Sequence, residues 1–421
     1  MTSSHDNSNA YVWIWLPTAI APVVAGKLES DGKGNLRFNY GKSYLERVND
    51  AHRAIAIYEP ELPLRSGDIP LPPGLPMPGC IRDAAPDAWG RRVILNRMLG
   101  RKGAGADTSD LGELTYLLES GSDRIGALDF QRSATDYVAR SAKNASLEEL
   151  LESVTRVEKG IPLTPELDQA LFHGSSIGGA RPKALIEDGN KKYIAKFSSS
   201  TDHYSVVKAE FIAMRLAALV GLDVAPAKLV STAGRDVVLI ERFDRTQTAQ
   251  GCTRKAMVSA LTILGLQDMT ARYASYADLA TIVRHRFSGP KNTLQELFGR
   301  MTFNILCGNT DDHARNHAAF WDGTLLTLTP AYDICPQNRS GNEASQAMLI
   351  AGNNNLSQLK TCLAAAHSFL LSEKEAKAIF ENQHKVIEEN WGRVCDEAEL
   401  NPIDRNFFWR RQFLNPFVFE E

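Results

Sequence analysis

Residues 308–321, GNTDDHARNHAAFW, crowd Asp311, Asp312, His313, Arg315, Asn316 and His317 between two apolar runs. LFGRMTFNIL (297–306) leads in with helical character and a strand-like stretch leads out. Gly308-Asn309 should end the helix, which leaves the polar residues on a loop. A metal site, a loop for phosphoryl transfer and a plain polar turn all compete for it. His313 and His317 have the i, i+4 spacing of a zinc helix, but on a loop that spacing loses its meaning, and no glutamate follows His313. Phosphoryl transfer needs a carboxylate to orient the attacking hydroxyl and oxygen ligands for Mg²⁺. Asp311 and Asn316 have the Asp-x4-Asn spacing of kinase catalytic loops. The hairpin predicted over 318–334 then brings Asp333 to a strand end, where an aspartate can be the second metal ligand.

A phosphate site also needs a cation, and the sequence upstream supplies one. Lys196 lies within the apolar strand YIAKF (193–197) and needs a carboxylate to hold it unless it snorkels from an edge. Glu210 follows in VVKAEFIAMRLA, beside Phe211, Met214 and Leu216, on a helix side that should pack inward; a lone inward glutamate is costly unless paired. Each residue explains the other. Before them, HGSSIGGARPKAL (173–185) is a glycine-rich loop whose N–H groups can cradle phosphates, although such loops are often mere turns. After them, VVLIERFDR (237–245) is a strand end that would connect two lobes, with backbone groups free to meet an adenine.

The rest of the chain frames this set. At 421 residues, with 43% hydrophobic and 23% charged residues, it should fold as two or three packed units. A net charge of −3 argues against a general nucleic-acid or membrane surface. Six scattered cysteines without a CxxC fit reduced thiols in a cytoplasm. AYVWIWLPTAIAPVVAG (10–26) is short and proline-broken for a membrane span, and YVWIWL reads as a buried strand. VVAGKL, LRFNY and AIAIYE are further β-like runs, and DAAPDAWGRRVILNRMLG and LGELTYLLE read as helices. Ser146 and Glu149 form a capping box, Thr164-Pro165 starts another helix, and Asp188-Gly189 marks a hairpin between KALIED and KYIAKFS. After about residue 248 the chain reads as predominantly helical, apart from the strands flanking the opening motif.

Taken in order, VAGKL, LRFNY, DAAPDAWGRR, GSDRIGALDF, SSIGGARPKALI, YIAKF, LIERFDR, GNTDDHARN and LTPAYDI resemble the HipA family of serine/threonine kinases, toxins of HipA–HipB toxin–antitoxin systems. The resemblance implies an α+β, two-lobed protein-kinase-like fold: an extra strand-rich N-terminal subdomain (1–135), an N-lobe with the Gly-rich loop (136–247) and a mostly helical C-lobe (248–421). It implies ATP and Mg²⁺, with Asp311 as catalytic base and Asn316 and Asp333 on the metal. Lys196, paired with Glu210, would meet the ATP phosphates beneath Ser176, Gly178 and Gly179. The backbone around Glu241–Phe243 would meet adenine, and His313 would also line the nucleotide site. Ser176, or its neighbour Ser175, would be the regulatory autophosphorylation site. Implied partners are a HipB-like helix-turn-helix antitoxin, through which operator DNA is bound, and an aminoacyl-tRNA synthetase as substrate, with no membrane. A small-molecule kinase and a regulatory pseudokinase-like module are the alternatives. Arg315 stands where lysine is more usual, and Pro182 should stiffen the loop exit. Asp312 is expected to matter much less than Asp311.

Overall fold

The computed structural model describes residues 8–48, 52–99, 107, 109, 111–140, 145–171, 181–199, 202–339 and 341–420. The N-terminal sheet is antiparallel in the order β3-β2-β1-β4, from β1 (Asn9–Ile14), β2 (Val23–Ser30), β3 (Leu36–Tyr40) and β4 (Leu128–Gln131). YVWIWL is thus mostly β1, and Ile14, Trp15 and Leu16 are buried. AIAIYE is not a strand. Its backbone is instead satisfied by side chains: the Ile57 N–H donates to Tyr40 Oη (2.9 Å), and the Tyr44 hydroxyl and Trp321 indole donate to the carbonyls of Ile55 (2.7 Å) and Ala56 (2.9 Å). Burial rather than pairing selected those apolar residues.

The second sheet, order β5-β6-β8-β7, comprises β5 (Lys183–Asp188), β6 (Lys191–Phe197), β7 (Ala227–Thr232) and β8 (Arg235–Glu241). The β5–β6 turn is Gly189-Asn190, one residue later than the sequence suggests, with Gly189 at φ 59°. Side chains alternate across the sheet. Tyr193, Ala195 and Phe197 join a core with Val154 and Val157 of helix Leu147–Glu158, whose Ser146–Glu149 capping box is formed. Val238 and Ile240 face the main core, which includes helix Val206–Leu219. Lys183, Lys196 and Val238 are cross-strand partners, so both lysines share that second face.

Beyond residue 248 the chain stays extended longer than expected. β9 (Arg245–Thr248) pairs with β10 (Gly251–Arg254), and β11 (Ala256–Ser259) pairs with β12 (Ala318–Trp321), which pairs with β13 (Leu326–Leu328). Strands this short are held by their partners rather than by propensity. The rest is mainly helical: Pro290–Cys307 and Glu373–Glu397 pack on one another, and the latter also packs on Val206–Leu219. Among the described residues no helix is long and apolar enough to cross a membrane, and the six cysteines are free thiols.

Candidate functional site

Lys196 projects from β6 towards helix Val206–Leu219. Its Nζ lies 2.5 Å from Glu210 Oε1 and 2.5 Å from Asp333 Oδ1. Glu210 is buried because its helix is apolar nearly all round, wedged between the sheet and the C-terminal helices. Asp333 reaches the lysine because Ala331, two residues before it, is tied down: Val224 bridges Ala331, with the Ala331 N–H on Asp223 O (2.7 Å) and the Ala225 N–H on Ala331 O (2.9 Å). Asp333 itself adopts the left-handed region, φ 58°, which aspartate tolerates better than most residues. Burial works against its charge, but Lys196 and Lys183 outweigh burial and hold its carboxyl at about 2. Burial likewise opposes the Lys196 ammonium, and Asp333 and Glu210 hold it charged.

The catalytic-type loop starts where helix Pro290–Cys307 stops. Gly308 sits at φ 73°, and a Cβ there would lie 2.5 Å from the Gln412 carbonyl, so the stop requires glycine twice over. Within the loop the Asn316 N–H donates to His313 O (2.8 Å) and Asn316 Nδ2 to Asp311 O (3.2 Å), which closes it around Asp311. The Asn316 side-chain oxygen remains for a cation. Asp311 is exposed at the rim. Partial desolvation, with Asp333 and Asp312 adding to it and His313 opposing, pushes its carboxyl above the usual carboxylate range. His313 and His317 do not converge. His317 is buried, with Nε2 2.9 Å from Asp312 Oδ1 and 3.1 Å from the Tyr276 hydroxyl, which itself donates to Asp312 Oδ2. Asp312 is therefore the buried anchor of the loop rather than a bystander. The spacing of the motif could not show this, because Tyr276 comes from a different helix.

Glu241 ends β8 with its carboxylate on Lys191 (2.7 Å). Phe243 packs its ring on Phe320 and Tyr332, the residue before Asp333, with centroids at 5.9 and 5.7 Å. The connector thus touches both ends of the β12–β13 hairpin. Arg315 turns outward to pair with Asp268, and its carbonyl accepts from the Tyr332 hydroxyl (2.7 Å). Pro182 is buried, and its carbonyl accepts from the Phe197 N–H (3.1 Å), which pins the loop exit to β6. Ser175, Ser176, Gly178 and Gly179 lie outside the described residues.

Lys183 was missed by sequence reasoning. It is buried opposite Lys196, 3.5 Å from Asp87, while its carbonyl accepts from the Trp89 indole (3.0 Å). The alternation KAL in β5 was the available signal, since Lys183 and Leu185 fall on one face. Asp83 of the same DAAPD stretch joins the second half of the chain, accepting from the Ser259 N–H (2.7 Å) and hydroxyl (2.8 Å).

Comparison with known proteins decides the family. Residues 175–391 match the HipA-like C-terminal domain and residues 16–131 the HipA N-terminal domain. The chain belongs to the HipA family. Over 344 residues it is 24% identical to a Sinorhizobium fredii protein named "Putative kinase Y4mE", covering 74% of each chain. Over 183 residues it is 26% identical to the Shewanella oneidensis "Serine/threonine-protein kinase toxin HipA", covering 38% of this chain and 42% of that one. The HipA chain in a solved Shewanella oneidensis MR-1 complex of HipA, HipB and operator DNA superposes with a TM-score of 0.69 at 18% identity, over 98% of this chain and all of that one. That likeness carries the HipA fold: α+β, two-lobed and kinase-like, as the motif order implied.

Proposed function

We propose that this HipA-family chain is an ATP- and Mg²⁺-dependent protein serine/threonine kinase that acts as a toxin on an aminoacyl-tRNA synthetase and is restrained by a HipB-like, operator-binding antitoxin. The observation that carries the phosphoryl-transfer part is the Glu210–Lys196–Asp333 cluster, assembled from three elements beside the Asp311–Asn316 loop. A largely buried ammonium held between two carboxylates is suited to phosphate oxygens, and the Asn316 and Asp333 oxygens are the hard donors Mg²⁺ prefers. His313 Nδ1 is a buried polar atom without a partner among the described residues, which fits a further polar contact to the nucleotide. When bound, Mg²⁺ would neutralise charge on the β- and γ-phosphates. Lys196 would orient the phosphates, Asp311 would hold the attacking hydroxyl and take its proton late in transfer, and Asn316 would keep the loop closed on Asp311.

The toxin role and the antitoxin rest on family membership and on the names of the relatives, and the synthetase substrate rests on the family resemblance alone. Loop phosphorylation at Ser176, or Ser175, would add about −1.5 to −2 charges beside the triphosphate and expel the loop. The test is phosphate transfer from ATP–Mg²⁺ to a panel of aminoacyl-tRNA synthetases and to small-molecule alcohols, with phosphosites mapped on the chain itself. Transfer to a synthetase serine, absent in Asp311→Asn, supports the reading; transfer to small molecules alone, or none, sinks it.

A further inference from the structure

The motif GSDRIGALDF (121–130) belongs to the N-terminal domain and takes no part in the chemistry above, yet its turn is bonded at several points to the lobe connector. Arg242 Nη1 donates to the Asp123 carbonyl (3.0 Å) and Oδ1 (3.1 Å), and Arg242 Nη2 to the Arg124 carbonyl (2.7 Å). Arg245 donates to Asp123 Oδ1 (2.9 Å) and the Gly126 carbonyl (3.0 Å). Asp244 returns the contact, with Oδ2 accepting from the Gly126 N–H at 2.8 Å. Lys192, on the strand beside the connector, closes the set on Asp123 Oδ2 at 2.9 Å. The side chains of Arg242 and Asp244 are almost wholly buried, and Asp244 is held at about 2 because Arg242 and Arg245 outweigh its burial.

All of these bonds bracket one residue. The chain bends at Phe243 and Asp244, and with the side chains of Arg242 and Asp244 both held on the N-terminal turn, Phe243 between them is left to face away from it. There its ring meets Phe320 and Tyr332, and its N–H has no acceptor among the described residues. An ion network that served only to join two domains could fall anywhere on their surfaces. This one falls on the residues that aim the connector.

We propose that Asp123, through Arg242, Arg245 and the carbonyls of its own turn, is a positioning residue that holds the Glu241–Asp244 connector in its adenine-binding conformation. The inference rests on the nucleotide reading of the cleft. It makes the N-terminal domain part of the nucleotide site without touching nucleotide, and confines its influence to the adenosine end. The phosphate end hangs on Lys196, Asn316 and Asp333, which the turn does not reach.

The test is calorimetric binding of ATP–Mg²⁺ and of inorganic tripolyphosphate–Mg²⁺ to the full chain, as wild type, Asp123→Asn and Lys192→Gln. Lys192→Gln removes only the most exposed partner of Asp123 and serves if the buried change prevents folding. A connector competent for only a tenth of the time weakens apparent affinity about tenfold, so Asp123→Asn should lose about tenfold or more for ATP while tripolyphosphate binding moves by less than about twofold. Lys192→Gln should show a smaller loss, again for ATP alone. Equal losses for both ligands would mean general loosening and would overturn the proposal, as would unchanged ATP affinity in a folded Asp123→Asn or, failing that, in Lys192→Gln. A wild type that binds no ATP would sink the nucleotide reading and this proposal with it. A wild type that binds ATP beside indifferent variants would sink the proposal alone.

Discussion

The Lys196 ammonium and the Asp333 carboxylate meet at 2.5 Å across 137 positions of sequence, one from a strand and the other from the segment after a hairpin. The aspartate assigned to the metal is thus held by the lysine assigned to the phosphates. ATP with Mg²⁺ would provide each with its own partner, so the two ligands should act together. Binding at a hundredfold excess over Kd stabilises a protein by about 2.7 kcal/mol. ATP–Mg²⁺ should therefore raise Tm, EDTA should remove most of the gain, and Asp333→Asn should make the rise insensitive to metal. A wild-type gain that ignores EDTA would count against Asn316 and Asp333 as ligands.

The raised carboxyl of Asp311 has a kinetic signature. Its base form is populated only above its own pKa, which lies above the ordinary carboxylate value. The acid limb of kcat should therefore fall at higher pH than for a free aspartate. It should move to lower pH in His313→Lys, where a lysine ammonium takes the place of the imidazole that already opposes the raised carboxyl. A pH–rate profile of each protein reads this directly, and a limb at the free-aspartate position would remove Asp311 as the titrating base.

Asp312 and Asp311 should part company in stability. Asp312→Ala leaves the buried His317 ring and Tyr276 hydroxyl without their carboxylate, at about 1–3 kcal/mol for each group left unpaired. Asp311→Asn, at the exposed rim, should stay within about 0.5 kcal/mol of wild type. Urea unfolding compares them. Equal stability of Asp312→Ala and wild type would show that the buried triad holds nothing in place.

Asp244 gives the fold an acid limit. Its folded carboxyl sits at about 2, below the unfolded value near 3.9, so the contact stabilises fully above pH about 4 and is lost as pH falls towards 2. The loss is about 2–3 kcal/mol from this group. Asp123, also held well below the usual range, adds to it in the same window. Urea midpoints from pH 6 to 2.5 should drop below pH 4, and less steeply in Asp244→Asn. Parallel curves for the two proteins would contradict the assignment.

Local chemistry was enough for the parts of the site that sit close together in sequence. Gly308 ends a helix because only glycine takes φ 73° there freely, and Asp311 and Asn316 share one loop whose closure needs only that loop's own hydrogen bonds. An inward glutamate on an apolar helix demanded a cation, and Lys196 is its partner. The capping box at Ser146, the turn after Asp188 and the order of the motifs were legible for the same reason: each depends on backbone preferences over a few residues. What the sequence could not rank was which apolar and polar groups would find distant partners. AIAIYE has the composition of a strand, yet its hydrogen bonds go to tyrosine and tryptophan side chains brought in by other segments. Asp312 reads as the lesser of the two aspartates, and only the contacts with Tyr276 and His317 show it as a buried anchor of the loop. Lys183, Asp87 and Asp123 acquire their meaning only where the N-terminal domain packs against the second sheet. A buried charge is tolerable only beside its counter-charge, and for these residues the counter-charges come from segments far away in the chain, so tertiary packing alone decided their roles.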